Sequence, residues 1–113
     1  MNIVKFVFNP LEENTYVVWD ETLEAIIIDA GNSNSEENER LAEFIAEQGL
    51  KPVMAVNTHG HFDHLLGVQY LKDKYGLKFA MSSKDDYLRS MLSENFAYFC
   101  SGTVMPAPEI DVD

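Results

Sequence analysis

All three histidines of the chain fall inside one short stretch, Thr58-His59-Gly60-His61-Phe62-Asp63-His64. Histidines scattered over a core or a surface do not cluster in this way, and a carboxylate lies among them. Neutral imidazole and carboxylate are the ligand set that borderline divalent ions such as zinc prefer, and ligands crowded on one loop lose little chain entropy on converging. The side chains of His59, His61, Asp63 and His64 point in too many directions for a single ion, so the spacing favours two adjacent metals. Gly60 allows the backbone to turn between ligands without a Cβ clash. The cluster also restricts the fold. The apolar run from Pro52 to Asn57 reads as a strand and Leu65 to Tyr75 as a helix, which places the ligand loop where a strand's C-terminal end meets a helix N-terminus, a usual position for α/β sites. That setting disfavours a mere surface histidine patch.

Upstream, Asn2 to Phe8 alternates around Ile3, Phe6 and Phe8 as a strand does, and Asn9-Pro10-Leu11 breaks it. Thr15 to Trp19 and Glu24 to Asp29 read as an antiparallel hairpin across Asp20-Glu21-Thr22. Ile26-Ile27-Ile28 is apolar at successive positions, which predicts a strand covered on both faces. A polar loop from Gly31 to Ser35 feeds a helix over 36–48, with Leu41, Ala42, Phe44 and Ile45 as its apolar stripe, early glutamates at its positive end and Gly49 as its stop. The resulting strand, helix, strand unit predicts a parallel pair. Gly76 marks a helix end, Leu77 to Met81 a short strand, and Ser83 with Asp86 a capping box that opens a helix over 84–100. Tyr87, Leu88, Met91, Leu92, Phe96 and Phe99 form the broad apolar face of that helix, expected to pack in the core.

His59-Gly60-His61-Phe62-Asp63-His64 resembles the H-x-H-x-D-H signature of the metallo-β-lactamase fold superfamily. Thr58 before it and Leu65-Leu66-Gly67 after it resemble the glyoxalase II-like (hydroxyacylglutathione hydrolase-like) branch. Glu13-Asn14-Thr15-Tyr16-Val17-Val18 resembles that branch's N-terminal strand, and Ala25-Ile26-Ile27-Ile28-Asp29-Ala30-Gly31 its second landmark, with Ala30 where relatives often carry Pro. The resemblance implies an α/β (α+β) fold: residues 1–113 as a single partial domain, the N-terminal half of an αββα sandwich, with a mixed sheet and helices on one of its faces. It implies that His59 and His61 hold one zinc and Asp63 and His64 a second, with iron or manganese as alternatives. Two zinc ions would activate a shared water as hydroxide for attack on a small-molecule thioester, Asp63 also orienting the nucleophile. The further ligands that family members supply from later motifs have no counterpart after His64, so the 113-residue chain by itself is expected to be inactive. Asp29, at the end of a buried strand, is the candidate for holding a ligand imidazole from behind, with a loop-capping role as the alternative.

A net charge of −11 repels phosphate backbones, which argues against nucleic acid as a partner. Cys100, the single cysteine, offers no internal disulfide, and no apolar run is long enough for a membrane span. A cytoplasmic protein without a membrane partner is therefore expected. Two readings compete with thioester hydrolysis: a mononuclear iron oxygenase of the same fold, since two histidines and a carboxylate suit ferrous iron, and a catalytically silent metal-binding or interaction module. Packing yields one more expectation. With the helices on one face of the sheet, the other face needs the protein's C-terminal half or a second copy to cover it.

Overall fold

The computed structural model describes residues 1–58, 64–82 and 108–112. Its elements are β1 (Asn2–Phe8), β2 (Glu13–Trp19), β3 (Glu24–Ile28), α1 (Ser35–Glu47), β4 (Lys51–Val56), α2 (Val68–Tyr75) and β5 (Lys78–Ala80). The strands form one mixed sheet in the order β1-β2-β3-β4-β5. The first three run antiparallel to one another, while β3, β4 and β5 are parallel and joined through the helices. The helix expected over 84–100, its capping box, Cys100, and the predicted ligands His59, His61 and Asp63 lie outside the described residues.

Register explains which side chains are inside. Directly opposed residues share a face, so Val4, Val17, Ile27, Ala55 and Phe79 form one row across all five strands. The last four of these are fully buried, and one apolar cluster joins them to Leu41 and Ile45 of α1 and to Val68 and Leu71 of α2. Both helices therefore cover the same face. The neighbouring row, Ile3, Val18, Ile26, Met54 and Lys78, points the other way. Ile3 is 62% exposed and Ile26 38%. The run Ile26-Ile27-Ile28 thus predicts two covered faces, but only the Ile27 face is closed among the described residues. Ile3, grouped with Phe6 and Phe8 by sequence, lies on the face opposite to theirs, because an odd spacing in a strand reverses the side.

Aromatic packing fixes α1 on the sheet. Phe44 meets the rings of Phe6 and Trp19 edge-on at 5.4 and 5.6 Å, and Phe6 stacks on Phe8 at 5.4 Å. Each such pair contributes about 0.5–1.5 kcal/mol beyond its buried area. The N-terminus of α1 is capped by Asn34, whose side chain accepts from Glu37 N–H at 2.9 Å. Glu37 does more than complement the helix dipole. Its carboxylate accepts from Ser33 N–H and Oγ and from Asn9 N–H, which ties the turn after β1 to the start of α1. Gly49 and Gly76 follow the helices with φ of 66° and 64°, the left-handed stops read from the sequence.

Helix α2 begins at Val68 rather than at Leu65. Residues 65–67 form a turn in which Val68 N–H bonds Leu65 C=O, while Gly67 N–H donates outside the helix to Ala30 C=O. Residues 108–112, in a stretch that the sequence marks as extended and acidic, add one more strand-like segment, whose pairing the sequence did not suggest. Val112 pairs in parallel with Ala80, Phe79 C=O accepts from Asp111 and Val112 N–H, and Asp111 Oδ2 accepts from Phe79 N–H at 2.9 Å. Lys72 closes the junction, its Nζ 2.9 Å from Asp111 Oδ2 and 2.7 Å from Glu109 C=O.

The hydrogen bond from Lys72, followed by that from Phe79 N–H, holds the Asp111 carboxyl below its usual range. A carboxyl whose folded pKa is depressed stabilises fully above its unfolded value, about 3.9, and loses that contribution as pH falls through the folded one. Thermal melts of the chain and of Asp111→Asn should therefore differ at pH 7 and converge below pH 3, with the difference reduced by salt. An Asp111→Asn deficit that persists unchanged at pH 2 would show that the pair is not the source.

Candidate metal centre

The buried face carries the site because polar residues replace apolar ones toward one end of the sheet. Thr15 and Glu13 share strand parity with Val17, so β2 delivers both inward, and Thr15 and the Glu13 side chain are fully buried. Just past β3, Asp29 takes φ 56°, a left-handed conformation that Asp tolerates better than most residues. Three bonds fix that turn. Asp29 N–H donates to Val56 C=O at 2.9 Å, Thr15 Oγ1 lies 2.8 Å from Asp29 C=O, and Gly31 N–H donates to Thr15 Oγ1 at 3.0 Å.

The turn holds the Asp29 carboxylate against the end of β4. Its Oδ1 accepts from Thr58 N–H and its Oδ2 from Thr58 Oγ1, both at 2.8 Å. His64 returns the chain to the same place. Its Nδ1 lies 3.3 Å from Asp29 Oδ2 and 3.4 Å from Glu13 Oε1, with the imidazole 21% exposed. Asn57 then donates from Nδ2 to His64 C=O at 2.6 Å. Both ends of the ligand loop are thus anchored, Thr58 on Asp29 and His64 on Asn57, with residues 59–63 between them.

Burial alone would raise the Asp29 carboxyl pKa. Hydrogen bonds from His64 and from the backbone and hydroxyl of Thr58 outweigh it and hold the group below its usual range, as an anion. Ligand-type atoms of Glu13, Asp29 and His64 all lie within 4.8 Å of one another. Oxygen and imidazole donors suit a borderline divalent ion in chemistry, and because Nδ1 faces the two carboxylates, the ring nitrogen left for an ion is Nε2.

The structure brings Asp29 and His64 together, two of the residues singled out from sequence. It also adds Glu13, Thr15 and Asn57, which the sequence reading passed over as parts of strands. A signal for Glu13 and Thr15 was available. Both have the parity of Val17, and a polar residue at an inward position of a strand needs a partner. Asp111, near the chain's end, is engaged with Lys72 and Phe79 instead.

Residues 8–113 match the metallo-beta-lactamase superfamily, and the chain belongs to it. It is 33% identical over 100 residues to the hydroxyacylglutathione hydrolase GloC of Haemophilus influenzae, covering 88% of this chain and 45% of that protein. It is 34% identical over 105 residues to an uncharacterised protein of Aquifex aeolicus, covering 91% of this chain and 47% of the relative. The chain therefore spans about half the length of these curated relatives. Among solved structures it resembles BLEG-1, a B3 metallo-beta-lactamase, with TM-score 0.81 at 22% identity, over 98% of this chain and 52% of that one, a likeness of fold alone. It resembles TTHA1623, solved in a di-iron-bound form, with TM-score 0.79 at 26% identity, over 97% and 52% of the two chains. The mixed sheet with helices on one face corresponds to the matching half of that fold. No helix among the described residues is long and apolar enough to cross a membrane.

Gly67 sets the approach of α2 to the site. A Cβ there would clash with the side-chain oxygen of the buried Asn32. Gly67→Ala should destabilise the chain by about 1–3 kcal/mol, the cost of overpacking a site that has no room to relax. Denaturant unfolding measures it, and a loss below experimental error would mean that Asn32 moves aside freely.

Proposed function

We propose that this chain carries part of the active site of a metal-dependent thioester hydrolase of the hydroxyacylglutathione hydrolase kind. The observation that supports it most is the seat of His64, its Nδ1 edge against the buried Asp29 carboxylate at 3.3 Å, in a chain similar over most of its length to GloC. A carboxylate behind an imidazole fixes the tautomer with a proton on Nδ1 and leaves the Nε2 lone pair for a metal. By family resemblance His59 and His61 would hold one ion, and Asp63 and His64 a second. Zinc suits these donors, and the di-iron-bound neighbour makes iron the alternative.

A bound divalent ion would supply Lewis acidity, lowering the pKa of a water to about 7 and polarising the substrate carbonyl. The chain's own residues do the positioning. Asp29, held by Thr58, keeps His64 in one orientation, and Asn57 holds the backbone of His64. Hydrolysis breaks the acyl C–S bond, adds water across it, and releases a carboxylic acid and a thiol. A thiolate leaves with little protonation, so thioesters need no strong general acid from the protein. Asp63 is the residue proposed to orient the nucleophile.

Hydrolysis of S-lactoylglutathione by the metal-loaded protein in its full length should be readily detected. His64→Ala or Asp63→Ala should lower kcat/KM on the order of 10²-fold or more, as loss of one transition-state contact does. The 113-residue chain by itself should release zinc to a mild chelator and show no turnover. Full-length protein that carries one iron and consumes oxygen without cleaving the thioester would replace this reading by the oxygenase.

The apolar row of exposed Ile3 and Ile26 with half-buried Val18 between them supports a second proposal, that the protein's C-terminal half or a second copy covers this face of the sheet. Exposed apolar surface forfeits about 25 cal/mol per Å². Light scattering of the 113-residue chain should then show self-association, and Ile26→Glu should suppress it. A monodisperse monomer with a sharp thermal transition would refute the idea.

A further inference from the structure

We propose that Glu13 is a second positioning residue for His64, acting beside Asp29 on the Nδ1 edge of the ring. The inference rests on His64 being a metal ligand only for its consequence, not for the contact. Glu13 opens β2 opposite the buried Phe8, at a parity where strand residues feed the core, and its side chain is wholly buried. A carboxyl group at such a position costs free energy unless specific partners use it. Two partners are in place. Glu13 Oε2 lies 2.8 Å from Thr15 Oγ1, and Oε1 lies 3.4 Å from His64 Nδ1. The first contact aims the second, because Thr15 is itself pinned by Gly31 N–H and Asp29 C=O.

The division of labour follows from the bonds on Asp29. Both of its oxygens already accept from Thr58, so Asp29 joins the loop's start to the ring, with part of its capacity committed to the backbone. Glu13 comes from a different strand and reaches the same nitrogen from another direction. One acceptor fixes the Nδ1–H tautomer but leaves the ring free to pivot about that bond; two acceptors on separate strands restrict the pivot as well. The functional element is the acceptor oxygen, so the amide isostere should serve in its place, its NH₂ donating to Thr15 Oγ1.

The test uses Glu13→Gln and Glu13→Leu in the full chain, with two readouts: imidazole ¹⁵N shifts of His64 in the metal-free protein, and Co²⁺ affinity by chelator competition. Wild type and Glu13→Gln should both show His64 as the Nδ1–H tautomer with near-equal affinity. Folded Glu13→Leu should show a tautomer mixture and bind Co²⁺ about 10- to 100-fold more weakly, the usual effect of losing a group behind a ligand. The proposal is overturned if folded Glu13→Leu matches wild type in its ¹⁵N shifts, if Glu13→Gln is as impaired as Glu13→Leu, or if wild-type His64 is the Nε2–H tautomer. Should Glu13→Leu not fold, retention of the Nδ1–H form in both wild type and Glu13→Gln supports it and its loss in either overturns it. A tautomer change without any change in Co²⁺ affinity would uphold the contact and instead remove His64 from the ligand set.

Discussion

The Asp29 carboxylate is the interaction on which the site depends. Just past β3, it joins Thr58 at the end of β4 to His64, while the backbone of the same residue bonds Thr15 of β2 and Val56 of β4, and it reaches that place through a left-handed turn. The turn is stable because its backbone is fully employed: the N–H bonds Val56 and the C=O faces the Thr15 hydroxyl. A regular β conformation at Asp29 would carry the carboxylate along the strand and away from Thr58. Backbone strain at one residue is thereby exchanged for the placement of a charge.

Charge sharpens the point. In a chain of net charge −11, two buried carboxyl groups within reach of one imidazole nitrogen are not an incidental surface pattern. Burial opposes ionisation, and at Asp29 the donors supplied by Thr58 and His64 overcome it. An anion held at that depth polarises the imidazole and raises the basicity of its far nitrogen, which is what a metal ligand needs. Glu13 adds a second oxygen from a separate strand, so the site is shaped by the sheet's register as well as by the loop.

How much of this was legible beforehand depends on the range of the interaction. The hairpin, the parallel pair and the glycine stops appear where the sequence put them, whereas of the histidine cluster only His64 lies within the described residues. The start of α2 was misjudged because Gly67 is held by Ala30 and Asn32, residues more than thirty positions away. The segment 108–112 is short and acidic, with no strand pattern of its own, and is ordered by Lys72 and Phe79. Glu13 was overlooked for a different reason: a run such as Glu13 to Val18 reads as a strand whichever face its polar members occupy. The parity that Glu13 shares with Val17 points inward, and its pairing with the buried Phe8 shows which side is inside.

The same register accounts for the contrast between the two faces of the sheet. Along the helix-covered face, residues change from Val17 to Thr15 to Glu13 in steps of two, so a hydrophobic floor grades into a polar pocket without a break in β2. The apolar part anchors α1 and α2; the polar part receives His64. Shifting β2 by one residue would turn Thr15 and Glu13 outward and bring Asn14, Tyr16 and Val18 in. The core could adapt to that set, since Tyr16 and Val18 are large enough to fill it, but the Asp29 turn would lose Thr15 and His64 would lose Glu13. Register in this strand is therefore constrained more tightly by the site than by the hydrophobic core, and Glu13 and Thr15 are the residues through which that constraint acts.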